Sequence, residues 1–176
     1  MAGPNHPNER NPILLTFESA SQLRAEPDPR RFWNLAVLMA LRDKAERVEV
    51  RFTEDGGILY NRVDGRDWEL TPVPDDVFPL LKPELRAVCR LVSPERPDVT
   101  VRGGTPGGRF EPQEIGWLTY SIGSHLLDLP VRIDPREPWG GVTIDLEHPE
   151  EMAGLAADAL AAYYGREDTD LDTEPE

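Results

Sequence analysis

The chain has 176 residues, 33 acidic against 19 basic, and a formal net charge of −14. That length fits one domain of roughly 100–150 residues with tails, and that charge repels nucleic acid and anionic lipid at long range, so DNA or RNA binding is not expected. Cys89 is the lone cysteine, no apolar run approaches ~18 residues and no signal-like leader opens the sequence, so disulfides, membrane insertion and secretion are not expected; the chain reads as cytoplasmic.

Residues 1–12 are rich in Pro and Asn without apolar periodicity and read as a disordered tail. "DPRRFWNLAVLMALRDKAER" predicts a long helix, with Asp28 as N-cap, Pro29 at its first position and apolar residues recurring from Phe32 to Ala45. "RVEVRF" alternates Val48, Val50 and Phe52 with Arg47, Glu49 and Arg51, and "GILYNRV" follows across Asp55-Gly56-Gly57; the two predict an antiparallel hairpin. In the next turn, Val63-Asp64-Gly65-Arg66, Gly65 supplies a positive φ and Asp64 is expected to bond the local backbone.

"DDVFPLLKPELRAVCRLV" predicts a second helix with Leu81, Leu85, Val88, Cys89 and Val92 on one face, ending at Ser93-Pro94; Asp75 and Asp76 read as capping acids for it. A short strand is expected at Val99–Arg102, then the glycine-rich "RGGTPGGR", then two strands, Trp117–Ile122 and Leu126–Ile133, joined at Gly123-Ser124. A last helix runs from Pro149 with Gly165 as its C-cap, and 166–176, with six acids against one arginine, reads as a solvated acidic tail or a docking element. These elements imply one α+β domain over residues 13–165, a mostly antiparallel sheet packed with two or three helices.

Signatures of chemistry are few. No phosphate loop, cysteine pair, His-Glu-x-x-His or Gly-x-Ser-x-Gly elbow is present, and His6, His125 and His148 lack metal-ligand spacing, so no catalytic residue, cofactor or metal is expected. Trp33, Trp68, Trp117 and Trp139 read as core or rim aromatics, or, if exposed, as markers of a partner surface.

The run "RVEVRF", "NRVDG", "PLLKPELRAVCRLVSPERP", "GGRF" and "PVRI" resembles the N-terminal domain preceding the motor core in type II secretion and type IV pilus assembly ATPases. The likeness covers Phe32 to Ile133. Arg62, Asp64 and Gly65 match the family's Arg-x-Asp-Gly, Glu95, Arg96 and Pro97 its helix exit, and Gly108-Arg109 the following Gly-Arg. Tyr60 and Thr119 replace family arginines, Arg47, Glu49 and Arg51 replace its Asp, His and Glu, and the motor core is missing. The resemblance implies the fold more than the activity. It points to a non-enzymatic interaction or regulatory module whose protein partner is a component of a secretion or pilus machine. Arg62, Asp64, Arg66 and Arg109 are the expected contacts. The alternative is a small-anion or nucleotide-responsive domain using Arg62, Arg66, Arg102 and Arg109.

Overall fold

The computed structural model describes residues 15–92, 113–136, 140–147 and 149–173, with side chains to 165 in the last segment. The fold is α+β. Its strands are β1 (Leu15–Phe17), β2 (Arg47–Thr53), β3 (Gly56–Val63), β4 (Arg66–Pro72), β5 (Cys89–Leu91), β6 (Glu114–Ile122), β7 (His125–Ile133) and β8 (Val142–Asp145). Its α-helices are α1 (Ala20–Ala25), α2 (Asp28–Arg42), α3 (Leu81–Val88) and α4 (Ala153–Thr173). One sheet runs β1-β6-β7-β8-β2-β3-β4, with β5 beside β6 on the same edge as β1. Among the described residues only the β1–β6 pairing is parallel.

Period-two alternation sends one set of side chains into the helices. Val48, Val50, Leu59, Leu118, Tyr120, Val131, Ile133, Val142 and Ile144 are buried with Trp33, Val37, Leu41, Leu85 and Ala156 in one core. Trp33 Nε1 donates to the Leu81 carbonyl at 2.9 Å, tying α2 to α3. Lys82, itself buried, donates to the carbonyls of Asp134 and Arg136, anchoring α3 to the chain beyond β7. Tyr120 donates to Asn34 Oδ1 at 2.6 Å, and Asn34 Nδ2 donates to the Thr16 carbonyl and to Glu26. That buried chain of bonds holds β1 and the α1–α2 junction against the sheet.

None of the described helices covers the opposite sheet face. It displays a mesh of ion pairs: Arg47 with Asp145, Arg132 with Asp145, Arg51 with Glu49 and Asp67, and Arg62 with Asp67.

Several expectations change. The N-cap of α2 is Pro27, and Asp28 is already helical, paired with Arg31. Cys89 leaves the second predicted helix to begin β5, because Cys89, Arg90 and Leu91 pair with Leu118, Trp117 and Gly116. A β-carbon at Gly116 would overlap the Arg90 carbonyl, so that pairing needs glycine. No Asp75 or Asp76 side chain caps the turn at Phe78–Leu80 or α3. The loop of the first hairpin is Glu54-Asp55, since Thr53 pairs with Gly56. Helix α4 continues through Gly165 to Thr173, so Gly165 is not its C-cap. The predicted strand at 99–102, the glycine-rich segment with Arg102 and Arg109, and Trp139 lie outside the described residues. Helix α1 and strands β1 and β8 are additions to the predicted set.

Candidate functional site

The β3–β4 hairpin closes on Asp64 and Gly65, whose φ angles are 53° and 77°. Two successive left-handed residues make the type I′ geometry that matches strand twist. Gly65 N–H donates to Glu46 Oε2 at 3.0 Å, which pins the turn to the segment between α2 and β2. Asp64 makes no such bond: among the described residues its carboxylate has no partner, contrary to the local backbone bond expected of it.

On the helix side of the hairpin lies an open cavity of about 400 Å³ lined by Asp43, Asn61, Val63, Asp64, Arg66, Trp68 and Leu70. Asp43 arrives there because α2 ends in a left-handed residue, Lys44 (φ 59°), with Ala45 N–H bonded back to the Ala40 carbonyl. Lys44 and Asp64 are the non-glycine residues of positive φ among those described; Asp64 lines the cavity and Lys44 follows Asp43, which also lines it. Leu70 enters the cavity through a bulge in β4, where the register shifts between Leu59 and Tyr60.

Asn61 is the chemically unusual member. It occupies a core-facing position of β3 and is 1% exposed, and no protein group bonds its Oδ1. Its Nδ2 reaches Asp43 Oδ2 at 3.4 Å. Asp43 is also held by Arg42 at 2.9 Å. Above them, the Arg66 guanidinium lies 5.1 Å from the ring centre of Trp68, which is 49% exposed on the edge strand.

The expected contact residues are therefore divided. Arg62 stands on the opposite face, where Asp67 accepts from it at 2.8 Å and from Arg51 at 2.6 Å. Those bonds, Arg51's first, hold the Asp67 carboxyl below its usual range. Asp64 and Arg66 belong to the cavity, and Arg109 lies outside the described residues. Of the four arginines of the anion reading, Arg62 and Arg66 stand on opposite faces of the sheet, and Arg102 and Arg109 lie outside the described residues. Asn61 and Asp43 were not singled out as contacts, whereas Trp68 was among the tryptophans expected to mark a partner surface if exposed; the legible signal for Asn61 was a polar residue at an inward position of β3, following Leu59.

Trp117, 44% exposed, is the counterpart on the other face, beside Arg90 and Pro130. No protein-family model matches this chain, and no curated protein matches it. Among the described residues no helix is long and apolar enough to cross a membrane.

Proposed function

We propose that the chain is a non-enzymatic, cytoplasmic protein-interaction module, related to the N-terminal domain of the secretion and pilus assembly ATPases, that engages a component of such a machine through the corner of its β3–β4 hairpin. The observation that carries this reading is the buried, unpartnered Asn61 Oδ1 in a cavity capped by a half-exposed tryptophan. A buried acceptor without a partner costs roughly 1–3 kcal/mol, and exposed aromatics are favoured anchors at interfaces. Both costs are recovered when a partner covers the corner. The order of helix, hairpin, strand, helix and antiparallel strand pair within one sheet supports the proposed relationship, as fold-level analogy.

An anion-responsive domain has weaker support. Arg62 is held by Asp67, and Arg66 shares its cavity with Asp43 and Asp64, whose charges oppose an anion.

The test uses the full chain as immobilised bait, in parallel with Trp68→Ala and Trp117→Ala. A protein recovered by wild type and Trp117→Ala but lost with Trp68→Ala is the expected result. Recovery unaffected by Trp68→Ala, or loss only with Trp117→Ala, places the interface elsewhere and overturns the proposal.

A further inference from the structure

We infer that the hairpin cavity is a receptor for one primary ammonium group, supplied by a lysine side chain of the partner; this rests on the interaction-module reading and gives its contact a chemistry. The orientation of Asn61 decides the polarity. Asp43, acceptor-only when ionised, faces Nδ2, and turning the amide over would set oxygen against oxygen. What remains for a ligand is therefore an acceptor, Oδ1, and it calls for a donor.

Charge narrows the choice. The charged groups lining the cavity are the carboxylates of Asp43 and Asp64 against the guanidinium of Arg66; next to them, Glu46 is bonded to the turn, Arg42 is paired with Asp43, and Lys44 follows Asp43 in the chain. Asp64 has no ion-pair partner among the described residues. A neutral donor satisfies Asn61 alone, an anion meets two carboxylates and an acceptor, and an ammonium satisfies Asn61 and Asp64 together. The indole face of Trp68 already attracts one cation, the exposed Arg66, and a partner's cation can share or take over that position.

Size and apolarity select the carrier. The cavity, at about 400 Å³, is in the range of small-ligand sites, and Val63 and Leu70 offer an apolar wall for a methylene stem. Lysine buries such a stem while presenting its charge at the tip. A divalent metal fits less well, because hard cations take six or more oxygen ligands, and among the described residues no three of His, Cys, Asp or Glu are grouped to supply them. The net charge of −14 steers a basic partner toward the chain.

The experiment is an NMR titration of the ¹⁵N-labelled full chain, reading the Asn61 side-chain amide and the Trp68 indole N–H. The probes are acetyl-Gly-Lys-Gly-amide, the same peptide with norleucine for lysine, and n-butylammonium. Saturable shifts with the lysine peptide and with butylammonium, and none with the norleucine peptide, are expected. Asn61→Leu abolishes the response, and Asp64→Asn, which leaves the core untouched, weakens it about two- to fivefold, as removal of one exposed charge does. Equal response to norleucine, or none to the lysine peptide, overturns the inference. Response to butylammonium without the lysine peptide overturns the assignment to a lysine side chain and marks a free-amine site. Loss of a captured protein with Trp68→Ala, in the absence of any ammonium response, overturns the inference while the interaction-module reading stands.

Discussion

Arg62 and Arg66 flank the same two-residue turn yet stand on opposite faces of the sheet, because Arg62 pairs across the hairpin with Asp67 while Arg66 pairs with Val63. Side chains alternate along each strand, so the partner of an inward residue is inward and the partner of an outward residue is outward. The two arginines accordingly have separate roles. Arg62→Ala removes one arm of an exposed cluster with Arg51 and Asp67 and lowers stability by less than about 1 kcal/mol, the usual scale for surface pairs. It leaves partner recovery unchanged. Arg66→Ala also leaves the fold intact but alters recovery. Chemical denaturation and capture on the two variants check this, and equal loss of partner by both would contradict it.

The core predicts a pH-dependent effect at Glu26. Burial, opposed by the bonds from Asn34 and Gln22, raises the Glu26 carboxyl above its ordinary value of 4.5. A carboxyl whose pKa is higher folded than unfolded holds its proton more tightly when folded, so the fold is favoured by acid. The penalty is absent below the unfolded pKa near 4.5, grows as pH rises through the raised folded value, and is constant above it. Glu26→Gln keeps an acceptor and removes the charge. Thermal unfolding is expected to show the variant level with wild type near pH 4 and more stable at pH 7; a destabilised variant at pH 7 would contradict the assignment.

Helix α3 is short but its inner side is fully buried, with Leu81, Leu85 and Val88 packed in the core. Leu85→Ala lowers stability by about 2–5 kcal/mol, the range for buried leucine truncation. The Cys89 thiol, where the chain turns from helix to strand, is pushed up to about 12 by burial. The native protein is therefore expected to resist alkylation at neutral pH and to react only on unfolding. A native thiol that reacts as fast as free cysteine would show that β5 is not seated on β6.

The two hairpins were legible because their signals are local: alternation in "RVEVRF" and "ILYNRV", and Asp64-Gly65 at a turn that demands two positive φ angles. Helix α1 went unread: Ser19 and Gln22 carry the capping-box signature, but its six residues show little periodicity. The start of β5 was not legible. Leu85, Val88, Cys89 and Val92 satisfy helical spacing, and only the distant Gly116 permits the strand pairing that overrides it. Of the site, the corner could be found from its turn, and counting by twos around that turn separates Arg62 from Arg66. That Asn61 pairs through Nδ2 and leaves Oδ1 unbonded depends on Asp43, eighteen residues away, and the cavity it lines depends on the bulge that brings in Leu70. No local pattern encodes that arrangement.

Asn61→Leu replaces a buried amide, whose Oδ1 has no bond and whose Nδ2 makes a long one to Asp43, by an apolar side chain of similar size, and is expected to raise stability by about 1–3 kcal/mol. The most direct measurement of the central claim is partner recovery by this variant, on protein shown by denaturation to be folded. The predicted result is a chain at least as stable as wild type that no longer retains the partner. A stable Asn61→Leu chain that retains its partner undiminished would contradict the assignment of this corner as the binding surface.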